Sequence, residues 1–478
     1  MAKEQAFIHP YIPNSVPEVQ AKMLDAIRIS DIESLYQEIP ERLRFKRKLN
    51  LPKPFLAESD LIKHVKSILL ENRTCEENLN FLGGGCWQHY IPAVCDEIIG
   101  RSEVLTAYAG EQYSDLGRFQ LFFEYQSELS ELVGMDVVSL PTYSWGSAAG
   151  FAIRMASRIT GKNEVLLPIT VAPERLATIK TLCQPEAMPN HINVTTVSYH
   201  NQTGLLDIED LKSKISSGTA AVYIENPSYL GFIEAQGREI SKLAHASGAL
   251  SIVGVDPISL GVLAAPSDYG ADMVVGTGQP LGVHMNFGGG EFGFIATKEE
   301  EKYVSELPTL LVAMTDTIEK GEYGFAWCGW DARTSYGIRN ENGEVRKESK
   351  DFIGTSANLW AIAAATYMAL MGPQGFKAIG ETIIQKSHYA INLLSKIKGI
   401  NIFFAPNIFK EFVVNFDNAG KSVKDVNRAL LEYNIFGGKD ISQEFPKLRN
   451  SALYCVTEIH SREDIEKLSN VLKEVLAR

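Results

Sequence analysis

Cysteine is scarce in this chain. Six are spread over 478 residues (Cys75, Cys86, Cys95, Cys183, Cys328 and Cys455), and none forms a CxxC pair. So few thiols in so long a chain exclude a disulfide-stapled scaffold and leave the common zinc spacings unmatched. No apolar run approaches the roughly 18 residues that cross a bilayer. The opening "MAKEQAFIHPYIPNS" has no apolar stretch after its lysine and does not read as a signal peptide. Basic residues are outnumbered, 46 Lys and Arg against 58 Asp and Glu, for a formal net charge of −12. That balance argues against holding nucleic acid or an anionic membrane through bulk charge. Internal repeats and low-complexity tracts are missing too. These absences point to a cytoplasmic globular protein, and 45% hydrophobic against 22% charged residues is enough for a large core in one to three domains.

Residues 1–75 read as a helical arm. "SVPEVQAKMLDAI" offers a serine cap, a proline in the first turn and apolar residues at helical spacing, followed by the short helix and basic stretch of "DIESLYQEIPERLRFKRKLNLPKP". Such an arm in an acidic protein is expected to pack on a neighbouring domain or subunit. Residues 76–330 alternate helices with short β-rich runs: "NEVLLPI", "INVTTVSY", "TAAVYIENPS", "ALSIVGVD" and "DMVVGTG". Uniformly apolar strands between helices predict a large α/β domain with a mainly parallel sheet, and "GGGEFGFIA" is expected to return antiparallel. Residues 331–375 read as a connecting segment and helix, part of a long helical stretch interrupted at "GPQG". Residues 376–478 read as a compact α+β C-terminal domain.

A further absence bears on chemistry. "SIVGVD" is a buried strand ending in Asp256, and no lysine occurs between Asp256 and Lys298. A strand-end carboxylate can keep the pyridine nitrogen of pyridoxal phosphate protonated, but covalent attachment needs a nearby amine. Gln279, Pro280 and Leu281 stand where a lysine would be sought, and Lys298 follows a later strand. Without the amine, Asp256 reads rather as the cap of the turn "DPISLG". Gly146 and Ser147, between a strand and a helix, form either an ordinary turn or a phosphate cradle at a helix N-terminus. "FLGGGCWQHYIPAV" carries Cys86, His89 and Tyr90 after three glycines, as a cleft loop or a structural one. Cys86 and His89 alone make too few ligands for a metal site, so none is assigned. Arg333, Arg339, Arg346, Lys347 and Lys350 around "ENGE" read as a solvated hairpin.

"FLGGGCWQHYIPAV", "FEYQSELSELVGMDV", "ENPSYLGFIE", "VDPISLGVL", "YGADMVVGTGQPLGVHMNFGGGEFGFIAT" and "TSANLWAIAAATYMALMGPQGF" together resemble the P-protein family of the glycine cleavage system. Within it they resemble subunit 1 of the split, two-chain glycine dehydrogenase (decarboxylating), from about Tyr11 to Arg478. The resemblance implies a fold-type I, aminotransferase-like architecture. It also implies a pseudo-catalytic subunit in a heterotetramer, two copies with two of a lysine-bearing subunit 2 that holds pyridoxal phosphate. The implied reaction decarboxylates glycine, a small amino acid, and passes its aminomethyl group to the lipoyl arm of H-protein. His89 and Tyr90 would then be this chain's contribution to the partner's site, and Gly146, Ser147 and Asp256 a vestigial or non-covalent cofactor cradle.

Three segments depart from the family pattern: 108–118, 143–149 and 347–358. They leave two alternatives beside the leading reading. One is a divergent paralogue paired with its own cofactor-bearing subunit for another amino acid or amine. The other is a non-catalytic scaffold or regulatory subunit.

Overall fold

A computed structural model describes residues 8–9, 11–45, 47, 49–104, 116–185, 188, 191–327, 351, 353 and 356–478. The chain divides into two compact units, Met1–Arg73 and Thr74–Arg478. In the first, α1 (Pro17–Ala26) begins on its proline, whose missing N–H would have had no helical partner at that position. The expected serine cap is not made: Val16 is the N-cap, and the Ser15 hydroxyl bonds instead to the Ile12 carbonyl at 2.7 Å. A displacement of one residue suffices, because Pro17 sets the start of the helix. α2 (Glu58–Leu69) buries none of its residues and exposes Leu61, Ile62, Val65, Ile68 and Leu69.

The second unit opens with β1 (Leu79–Asn80), α3 (Ala93–Ile99) and α4 (Leu116–Val133). The large domain follows: β2 (Val137–Val138), α5 (Trp145–Thr160), β3 (Glu164–Pro168), α6 (Pro173–Cys183), β4 (Asn193–Val197), α7 (Ile208–Lys214), β5 (Thr219–Glu225), α8 (Gly237–Ala246), β6 (Leu250–Val255), β7 (Met273–Thr277) and β8 (Gly293–Thr297). Its sheet has the order β2-β8-β7-β6-β5-β3-β4. The strands from β7 to β4 pair in parallel, while β8 returns antiparallel against β7 and β2, as its sequence suggests. Successive residues serve two cores: Val222, Ile224, Val253 and Val274 face one, Tyr223, Ile252, Met273 and Val275 the other. Both faces are covered by helices, so these strands show no polar alternation.

α9 (Glu301–Val304) and the hairpin β9 (Val312–Asp316) with β10 (Tyr323–Trp327) complete this part. α10 (Asn358–Leu394) bends where the sequence breaks, with Gly372 at φ 56° followed by Pro373. The remaining elements are β11 (Asn401–Phe403), β12 (Glu411–Asn415), α11 (Val423–Leu431), β13 (Ile435–Phe436), β14 (Lys439–Asp440), β15 (Ser451–Cys455) and α12 (Arg462–Ala477). Four of these strands form an antiparallel sheet, β11-β12-β15-β14, whose Phe412, Val414, Ala452 and Tyr454 pack with Leu430, Leu468 and Leu472. β1 pairs in parallel with β13, so the segment entering the glycine-rich loop is tied to the C-terminal domain although it precedes the large domain in sequence.

β5, β6 and β7 end together at Glu225, Val255 and Thr277, and this carboxyl edge is where open α/β sheets place their sites. The turn after β5 meets β12 there. Gly231 has φ +90°, and a Cβ on it would lie 1.9 Å from the Glu411 carbonyl oxygen. Gly231→Ala is therefore expected to cost about 3 kcal/mol or more, read from urea unfolding; an unchanged midpoint would contradict this close approach.

Candidate functional site

Asp256 follows β6 and is 4% exposed. Its Oδ1 accepts the Ile258 N–H at 3.1 Å, capping the short turn as read from the sequence. Its Oδ2 lies 2.5 Å from Lys410 Nζ, a buried ion pair between the large and C-terminal domains. Lys410 is 1% exposed and has φ +62°, in the left-handed region. Its Nζ also lies 2.9 Å from His89 Nε2 and 3.9 Å from the centroid of the Trp87 ring. An ammonium only donates, so Nε2 accepts and the His89 proton sits on Nδ1, 2.7 Å from Glu458 Oε2. Burial opposes the charge on Glu458, but the hydrogen bonds it accepts from His89 Nδ1 and from the Tyr90 N–H, the latter to Oε1 at 2.8 Å, favour the carboxylate and hold it below its ordinary range.

The glycine-rich loop is pinned along its length. Glu411 Oε1 accepts the Gly84 N–H at 2.6 Å. A Cβ on Gly83 would meet that same oxygen at 2.6 Å, and Gly84 has φ +117°, which accounts for glycine at both positions. Gln279 brackets Trp87: its Oε1 accepts the Trp87 N–H at 3.2 Å, and its Nε2 donates to the Trp87 carbonyl at 3.1 Å and the Val283 carbonyl at 3.0 Å. The Thr457 hydroxyl donates to the Gln88 carbonyl at 2.7 Å.

Beside this cluster, Arg175 pairs with Glu225 at the end of β5. Nη2 donates to Oε2 at 3.0 Å, and Nε lies 2.9 Å from Oε1 but off the line of a hydrogen bond. Burial works against the Arg175 charge, and the Glu225 carboxylate more than compensates. The guanidinium stacks 3.9 Å over the Trp145 ring. Between Trp87, Trp145, Arg175, Tyr229, Asp256 and Lys410 there remains a cavity of about 10 Å³, room for about one water.

Asp256 and His89 come together through Lys410. Tyr90 is 68% exposed, and only its backbone joins the cluster. Ser147 closes a capping box: its hydroxyl accepts the Ser144 N–H and donates to the Ser144 carbonyl, both at 2.8 Å. A Cβ on Gly146 would stand 3.0 Å from Thr178 Cβ, so this glycine lets α5 lie close on α6. Lys298 is 3.6 Å from Asp272, ahead of β7 and so at the opposite edge of the sheet from Asp256. Cys86 does not converge with His89 on a ligand, since both imidazole nitrogens are engaged; burial pushes its thiol up to about 11. Residues 333, 339, 346, 347 and 350, and most of the departing segments 108–118 and 347–358, lie outside the described residues. Lys410, Glu458 and the Arg175–Glu225 pair escaped sequence reasoning, because each partner lies tens to hundreds of residues away.

A mainly parallel seven-stranded sheet, a smaller antiparallel C-terminal domain and charged groups at the carboxyl edge define a fold-type I pyridoxal-phosphate-dependent architecture. A family model described as glycine cleavage system P-protein matches residues 9–472, and the chain belongs to that family. The probable glycine dehydrogenase (decarboxylating) subunit 1 of Staphylothermus marinus is 38% identical over 480 residues, 98% of this chain and 99% of that protein. That of Pyrococcus horikoshii is 37% identical over 471 residues, 98% and 99% of the two chains. The crystal structure of glycine decarboxylase (P-protein) of the glycine cleavage system, in inhibitor-bound form, superposes with TM-score 0.81 at 31% identity over 98% of this chain and 100% of that one. A sphingosine-1-phosphate lyase of Burkholderia pseudomallei, at TM-score 0.63 and 14% identity over 92% and 95% of the chains, shares the fold.

The residues of this chain do not fit pyridoxal phosphate. Asp256 is taken by Lys410, Gln279 cannot form an imine, Ser147 is spent on its cap, and the remaining cavity is about 10 Å³.

Burial raises the Glu411 carboxyl to about 7. An unfolded glutamate titrates near 4.3, so across that window the folded state binds more protons and stability falls as pH rises. Glu411→Gln is expected to remove this fall, about 1.4 kcal/mol per pH unit at its steepest. Urea midpoints at pH 5 and pH 7 test it, and equal slopes in the two proteins would refute it.

Proposed function

We propose that this chain is the lysine-less subunit of a two-chain glycine decarboxylase, and that the pyridoxal phosphate and its lysine belong to a homologous subunit 2. The observation carrying this is Gln279. The residue standing where the amine is sought is locked by three hydrogen bonds into holding a loop, in a chain similar over nearly its whole length to proteins named subunit 1. The cofactor supplies the electron sink for loss of the glycine carboxylate. This chain supplies a rigid loop whose exposed end is Tyr90, offered to the partner's site, with His89 beneath it as a positioning residue.

One feature supports assembly with other chains, in a heterotetramer that delivers the aminomethyl group to lipoylated H-protein. Leu61, Val65 and Ile68 of α2 recur at helical spacing and are not buried within their own unit, an apolar stripe suited to another surface. Among the described residues no helix is long and apolar enough to cross a membrane. The departure at 143–149 does not argue for another substrate, since Trp145 and Ser147 serve the Arg175 stack and the helix cap.

The chain alone, mixed with pyridoxal phosphate, is expected to give no lysine-bound absorbance band and no exchange of CO2 with glycine. With its partner subunit and lipoylated H-protein, both should appear. A band from this chain alone, or a partnered complex that ignores glycine, would overturn the reading. Tyr90→Phe in the complex is expected to lower kcat/KM for glycine by roughly tenfold, about 1.4 kcal/mol of transition-state stabilisation, with the subunits still associated.

A further inference from the structure

We propose that Lys410 is a tethered ligand of this chain. Its ammonium occupies a cation cage formed by Asp256, His89 and Trp87, and the cage retains affinity for a free primary alkylammonium once the lysine side chain is removed.

Three groups of different chemistry converge on one nitrogen: a carboxylate at 2.5 Å, an imidazole lone pair at 2.9 Å and an indole face at 3.9 Å. A primary ammonium has three N–H bonds, and a carboxylate, a neutral nitrogen acceptor and a π-face are partners it prefers. All three are buried, with Asp256 at 4%, His89 at 8% and Trp87 at 4% exposure, so their selectivity for a cation is little diluted by water. The three are held independently of the lysine. Asp256 also caps its turn, His89 is fixed by Glu458, and Trp87 is bracketed by Gln279. Lys410 itself keeps a left-handed backbone, φ +62°, a conformation that persists in a non-glycine residue where its surroundings over-determine it. Tethering makes the binding intramolecular, which fills the cage without a free ligand. The cleft therefore excludes external nitrogen ligands because it already holds one.

The test uses the full chain with Lys410→Gly, a residue that accepts this backbone conformation. The variant should melt roughly 5 °C or more below wild type, because Asp256 is left buried without a cation. Ethylammonium chloride should restore the melting temperature saturably and shift tryptophan emission, whereas potassium chloride and ethanol should not. In Lys410→Gly/Asp256→Asn the ethylammonium effect should vanish. An undiminished melting temperature, equal effects of ethanol and ethylammonium, or rescue surviving Asp256→Asn would each overturn the proposal. If Lys410→Gly does not fold, Lys410→Met is compared with Lys410→Met/Asp256→Asn. The proposal requires the double variant to melt higher, and an equal or lower value refutes it.

Discussion

A carboxylate at the carboxyl end of a buried parallel strand must be neutralised or matched, and in this protein the match is Lys410. Removing one member of such a pair is far costlier than the pair itself is stabilising, since the other is left charged out of water. The ammonium does more than cancel Asp256. It reaches His89 and covers Trp87, so one side chain from the C-terminal domain sets the sheet edge, the domain seam and the glycine-rich loop at once. The neighbouring Arg175–Glu225 pair solves the same problem for β5 without crossing between domains.

Gln279 shows why the frame of a cofactor site persists without its amine. A carboxamide accepts and donates, which lets it pair with both the N–H and the carbonyl of Trp87 like another stretch of backbone. A lysine at that position has donors only and would leave the buried Trp87 N–H without an acceptor. Holding the loop in this way and carrying a reactive amine are thus competing uses of one position. In the proposed arrangement two chains, one with the clamp and one with the lysine, would resolve that competition.

The architecture was legible because it is written in local patterns: the apolar runs of β3, β5, β6 and β7, the return of β8 and the break at Gly372–Pro373. Asp256 was visible as a strand-end turn residue, and Gln279 as an occupant of the lysine's expected place. Their partners were not. Lys410 opens the β-rich run "KEFVVNF" and Glu458 closes "SALYCVTE", where each looks like an ordinary flanking charge; only folding brings them to residues 154 and 369 positions distant. Ser147 misled for a physical reason. A serine at the third position of a helix suits a phosphate cradle and a capping box equally, and the choice lies with Ser144 just before it.

The parallel pairing of β1 with β13 has a consequence for biogenesis. The loop from Gly83 to Tyr90 leaves the ribosome well before its supports at Lys410, Glu411, Thr457 and Glu458, which follow the residues they hold by 321 to 369 positions. Domains made first can settle during synthesis, but this loop has only the Gln279 clamp to settle against until the segments carrying Lys410 and Glu458 have been made. The segment this chain would offer to its partner thus matures only after those later segments exist, which couples its competence for assembly to their synthesis.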